Sequence, residues 1–225
     1  MLLPRAVSTR SAVAEGDVSA VVAHLVAHLR DRGLVYLDLF GNLSAAPAGD
    51  WGRWDWYALR DLVGLLFLYE SGARVGELCG LGVAALGRVE GVDGGAAVAV
   101  MVYGKSGVRR RWVGSKWLQL ARLWLSVRPC ASDYLICELA SGRPLSSHGF
   151  GLVLARLCGR VGVARFGPHA LRHAAVRRVR AVGGVEVARL FIDHSAVSST
   201  LNYSPVEDAE LAEVSAATGW RGGWF

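Results

Sequence analysis

Apolar residues recur at helical spacing along almost the whole chain, and the pattern changes only once. Within residues 89–113 two turn signals, Val92-Asp93-Gly94-Gly95 and Gly104-Lys105-Ser106-Gly107, bound the short segments 97–103 and 108–113. Short apolar runs bracketed by Gly and Asp clusters are what strands joined by tight turns require. The surrounding chain has the period of helices with one apolar face. The expected fold class is therefore α+β: a mostly helical domain carrying one small antiparallel sheet of three strands.

The helical pattern divides into segments. Residues 17–32 place Val18, Val21, Val22, Leu25, Val26 and Leu29 on one face, ready to pack against the rest of the domain or a neighbouring protomer. Residues 41–52, rich in Gly, Ala, Ser and Pro, read as a linker. Residues 55–68 form a strongly apolar helix ended by Ser71-Gly72, and a second helix runs from about Arg74 to Leu81-Gly82. Further helices are expected over 115–127 and over 146–161, the latter with a Ser cap. Pro168 suits the first turn of a helix over 169–182, which Gly183-Gly184 closes. Shorter helices follow over 185–192, 197–203 and 207–217. No internal repeat or low-complexity segment is present.

With 225 residues, 52% of them hydrophobic and 20% charged, the chain can bury a full core and is not of disordered composition. Its longest apolar run, 62–69, is too short to span a bilayer, and no signal peptide is evident. A soluble, intracellular protein is expected. The four cysteines (Cys79, Cys130, Cys137, Cys158) form no CxxC pair, so neither a zinc knuckle nor a disulfide framework is indicated. The net charge of +6 is unevenly placed: residues 105–190 hold 16 Lys or Arg against three acids, while 1–104 hold eight against eleven. A focused basic surface favours a polyanion such as DNA.

Six polar residues stand out from their apolar surroundings. Arg74 follows the Ser71-Gly72-Ala73 break, Lys105 tips a hairpin, and His169 and Arg172 share the first turn of a helix. His194 follows a short helix, and Tyr203 lies nine residues beyond it. Taken singly, each has an ordinary explanation as a surface ion pair, a solvated turn or packing. Together they supply what phosphodiester transfer without a metal needs. Two guanidiniums can clamp non-bridging phosphate oxygens and stabilise charge developing on them. Imidazoles can donate hydrogen bonds or move protons, and a tyrosine hydroxyl can attack. No carboxylate cluster suited to magnesium is visible, so neither a metal nor another cofactor is expected.

These residues sit in motifs that resemble the tyrosine recombinase (phage integrase) family. Gly72-Ala73-Arg74-Val75-Gly76-Glu77-Leu78 is similar to its first arginine motif, and Gly104-Lys105-Ser106-Gly107 with Arg109-Arg110-Arg111 to its lysine hairpin. Pro168-His169-Ala170-Leu171-Arg172-His173 is similar to its His-x-x-Arg box. Leu190-Phe191-Ile192-Asp193-His194-Ser195, followed by Ser199-Thr200 and Tyr203, is similar to its terminal box. The likeness covers about 55–205.

The resemblance implies a site-specific recombinase acting on double-stranded DNA. Arg74 and Arg172 would bind the scissile phosphate, Lys105 would protonate the leaving 5′ oxygen, and His169 would assist proton transfer. His194 would hydrogen-bond the phosphate, and Tyr203 would form a 3′-phosphotyrosyl link. Glu77 and His173 would support the site, and Arg109, Arg110 and Arg111 would contact DNA. The implied partners are duplex DNA, other copies of the chain (a tetramer on DNA) and an accessory DNA-bending protein. Alternatives are the nicking-closing chemistry of a type IB topoisomerase and an inactive DNA-binding regulator. The expected organisation is a short helical segment over 1–50 and a catalytic domain over 51–225. Two features depart from the family pattern: Asp193 stands where glycine is usual, and only about fifty residues precede Asp55.

Overall fold

The computed structural model describes residues 15–38, 42–87, 90–91, 96–104, 107–193 and 205–220. At its centre lies α2 (Arg53–Ser71), in which every residue from Ala58 to Ser71 is buried. A helix apolar on all sides must be covered on all sides. α1 (Glu15–Asp31), α4 (Ser115–Val127), α6 (Pro168–Asp193) and the sheet strand β5 (Gly107–Gly114) surround it.

The polar groups that α2 carries inward are matched. Arg60 pairs with Asp61 at 2.6 Å and donates to the Cys137 carbonyl. Trp117 on α4 donates its indole N–H to the Val63 carbonyl. Glu70, which burial pushes above the usual carboxylate range, accepts the amides of Gly114 and Trp220.

α1 lays the predicted face, Val18 to Leu29, against α2 and α5 (Ser147–Val161) of the same chain, and these residues belong to the same core as α2. The stretch 41–52 is more ordered than a linker. Leu43–Ala45 (β2) pairs antiparallel with Val35–Leu37 (β1), and Trp51 is buried with its indole donating to the Ala46 carbonyl. Composition marked the turns correctly but could not show that two three-residue segments meet.

The main sheet has the expected three strands, in the order β3 (Glu90–Gly91), β4 (Ala97–Gly104), β5, all antiparallel. Its two faces bury different partners. Val100, Val102 and Val113 join the core around α2. Ala97, Ala99 and Trp112 face Val179, Val187, Phe191, Leu211 and Val214, contributed by α6 and α7 (Pro205–Thr218). α7 thus packs on its own domain.

α3 (Val75–Cys79) is shorter than the sequence suggests. α5 starts where expected, with the Ser146 hydroxyl accepting the Gly149 amide. α6 is interrupted at Gly184, whose φ of 80° and ψ of −173° suit glycine alone; the break falls at the predicted Gly183-Gly184. The expected helix over 197–203 lies outside the described residues. No helix among those described is long and apolar enough to cross a membrane.

Candidate active site

The site forms where α2 ends. Gly72 closes the helix in the left-handed conformation, φ 58°, with its amide bonded to the Leu68 carbonyl. A methyl group there would stand 3.1 Å from the Phe191 ring and 3.2 Å from Ala175. Both the backbone angle and the close approach of α6 therefore call for glycine. The chain then turns through buried Ala73 and delivers Arg74 to the N-cap of α3. The Arg74 amide donates to Glu77 at 2.9 Å, while its side chain remains 54% exposed.

α6 brings the second arginine. Its first turn begins at Pro168, and Arg172 points inward, donating to the Gly72 carbonyl a hundred residues away. His169 and His173 face outward one turn apart, their Nε2 atoms 2.8 Å from each other and their rings edge to face. One imidazole donates to the other, so the two tautomers are coupled.

β5 supplies the base of the site. Neighbouring residues of a strand point to opposite faces, and this alternation separates the three consecutive arginines. Arg111, 1% exposed, makes a two-point contact with Glu77: Nε to one oxygen at 3.0 Å and Nη2 to the other at 3.1 Å. Its Nη1 reaches the carbonyls of Phe191 and Ile192 at the end of α6. Arg109, 6% exposed, lies on the same face. Arg110 points to the other face and pairs with Asp208 of α7 at 2.6 Å.

The three arginines expected at the DNA therefore stand in different surroundings. Arg109 and Arg111 have almost no exposed surface to offer a duplex, and Arg110 is engaged by α7. The period of two was visible in the sequence; which parity faces inward was not. The role sequence reasoning missed is that of Arg111, which ties β5, α3 and the end of α6 together.

Around Arg172 the charge of Glu77 opposes those of Arg111, Arg74 and Arg109. Burial would raise the Glu77 pKa, but Arg111, the Arg74 amide and the Arg74 charge outweigh it and hold the carboxyl below its ordinary range. For Arg172, burial and then the repulsion of Arg111 and Arg74 pull the guanidinium down to about 10. It still carries its proton at neutral pH, so the cluster keeps a surplus of positive charge. Two of its members retain solvent-accessible surface, Arg74 exposed and Arg172 half-buried. Such a surplus of preorganised donors is a receptor for a phosphate-like anion.

Lys105, His194 and Tyr203 lie outside the described residues. Gly104 sits over Glu77, where a Cβ would meet the carboxylate at 3.4 Å. The carbonyls held by Arg111 belong to the residues two and three before His194.

The fold is thus a helical body around one buried helix, with a sheet edge and a cluster of arginines at its end. Residues 54–210 match the model of the phage integrase family, and the chain belongs to that family, the tyrosine recombinases. The tyrosine recombinase XerC of Bradyrhizobium diazoefficiens is 31% identical over 207 residues, covering 90% of this chain and 63% of that protein. XerC of Mycobacterium sp. (strain KMS) is 33% identical over 181 residues, covering 76% and 57%. The chain thus spans between half and two thirds of these relatives. In fold it is similar to the XerA recombinase (TM-score 0.58, 16% identity, 94% of this chain and 65% of that one). It is also similar to XerH recombinase bound to palindromic difH substrate in a post-cleavage complex (TM-score 0.56, 14% identity, 88% and 52%).

Proposed function

We propose that the chain is the catalytic part of a site-specific recombinase that cuts and rejoins duplex DNA through Tyr203. The observation that carries this reading is the arginine cluster: Arg74 and Arg172 stand beside buried Arg109 and Arg111, with the Glu77 carboxylate among them. In the proposed reaction the Tyr203 oxygen attacks the scissile phosphorus and the bond to the 5′ oxygen breaks. The tyrosine proton passes to a base, for which His169 is placed on the exposed turn of α6, and Lys105 protonates the departing 5′ oxygen. Arg74, Arg172 and His194 stabilise the negative charge on the non-bridging oxygens. Glu77 and His173 act as supports, through Arg74 and His169 respectively. The 3′-phosphotyrosyl link conserves the bond energy, so rejoining by the reverse route needs no nucleotide. Duplex DNA is the partner, and exchange between two duplexes calls for several copies of the chain, four in the simplest arrangement, with a DNA-bending protein as an accessory.

The test is a nicked suicide duplex in the presence of excess chelator. Wild type should form a covalent protein–DNA adduct, and Tyr203→Phe should bind the duplex equally well and form none. Binding without an adduct in both would leave a DNA-binding regulator. An adduct with relaxation of supercoiled DNA, but no exchange between duplexes, would leave a nicking-closing enzyme.

A further inference from the structure

The other end of α2 carries a second concentration of positive charge that the catalytic reading does not use. Trp54 lies in the first turn of α2, and two arginines of α5 reach it: the Arg160 guanidinium is 3.8 Å from the centre of its ring and that of Arg156 is 5.6 Å away. Residues four apart on a helix share a face, and like charges so placed repel. α1 brings His24 and His28 to the same surface, and Arg32 follows it.

The acids beneath are few and already engaged. Asp55 is buried and takes His28 at 2.7 Å and Arg32 at 3.1 Å. Asp61 is buried and takes Arg60 at 2.6 Å, with Arg156 only at 3.5 Å. Among the described residues Arg160 has no carboxylate within ion-pair distance, and it is exposed. His24 senses the excess: burial, Arg160 and His28 all push its pKa down.

A guanidinium held over an indole can still offer N–H donors to the non-bridging oxygens of a phosphate. Trp54 and Ser71 are seventeen helical steps apart, roughly 25 Å at the rise of an α-helix. No single phosphate reaches both ends.

We propose that the Trp54–Arg156–Arg160 face is a second nucleic-acid surface, which takes the phosphate backbone of duplex DNA outside the stretch held at Arg74 and Arg172. This goes beyond the catalytic reading and does not depend on the chemistry of Tyr203. The surface would engage a bent flank of the same DNA or a second duplex, and it accounts for bases of the 105–190 segment that lie far from the catalytic pocket.

The experiment is fluorescence anisotropy of a random-sequence duplex across a salt series. The proteins compared are wild type, Arg160→Glu, Arg156→Gln with Arg160→Gln, and each of these in an Arg74→Gln/Arg172→Gln background. The double Gln variant should weaken binding about tenfold at low salt and flatten the slope of log Kd against log salt by about two. The loss should persist in the Arg74→Gln/Arg172→Gln background. Adduct formation on a short suicide duplex, read separately for Arg160→Glu and Arg156→Gln/Arg160→Gln with Arg74 and Arg172 intact, should stay at the wild-type level, so failure of the catalytic reading is distinguishable from failure of this one. Because Arg156 also faces buried Asp61, Arg160→Glu decides the matter alone if the double variant melts early. Unchanged affinity and slope in Arg160→Glu would overturn the proposal. So would loss of polyglutamate binding with duplex binding intact, which would assign the face to an acidic protein.

Discussion

Arg111 and Glu77 form a buried two-point ion pair that fastens the middle of β5 to the first turn of α3. Glu77 also accepts the amide of Arg74, and Arg111 also holds the last carbonyls of α6. The pair and its further contacts thus tie together three of the four family motifs. Desolvating two charges is costly, and removing one partner strands the other. Arg111→Met and Glu77→Ala are each expected to cost about 3–5 kcal/mol, while the joint replacement costs less than the sum. Denaturant unfolding of the double-mutant cycle measures this. Additive losses would mean that the two residues act independently.

The same pair gives an acid dependence. The folded pKa of Glu77 is depressed below its ordinary value of 4.5. Its contribution is therefore complete above that value and is lost as pH falls through the lower folded pKa. Glu70 and Asp61, raised by burial, contribute with the opposite sign. The informative quantity is the stability difference between wild type and Glu77→Gln, which should shrink from neutral to acid pH. A difference that holds constant would show that Glu77 does not titrate with the fold.

Surplus positive charge at Arg172 should be relieved by an anion. Inorganic phosphate is expected to raise the thermal midpoint of wild type, by a stabilisation of about 2.7 kcal/mol at a hundredfold excess over its Kd. Arg172→Gln should show a much smaller rise. Arg172→Lys should recover little, because an ammonium cannot form the planar two-point contact. Equal shifts in all three proteins would place phosphate elsewhere.

If Lys105 protonates the leaving oxygen, Lys105→Ala should cleave ordinary DNA about 10²–10⁴-fold more slowly. A substrate with sulfur at the bridging 5′ position leaves as thiolate and needs no such proton. Its cleavage rate should therefore be nearly equal in wild type and variant. An equal defect on both substrates would reduce Lys105 to a phosphate contact.

The sequence by itself determined what depends on near neighbours. Helical spacing located α1, α2, α4, α5 and α6, Ser146 and Pro168 marked two helix starts, and paired glycines marked the hairpin and the break in α6. The motif residues Arg74, His169 and Arg172 were legible for the same reason, since each belongs to a short local pattern. Tertiary structure decided what depends on distant partners. It brought Arg172 to the carbonyl of Gly72 and paired β1 with β2 inside a stretch that reads as a linker. It also turned Arg109 and Arg111 inward while leaving Arg110 to α7. Alternation along a strand is written in the chain, but which face is buried is fixed only when another element covers it. Here the covering elements are α2 and the first turn of α3, whose Glu77 is more than thirty residues away from Arg111 in sequence.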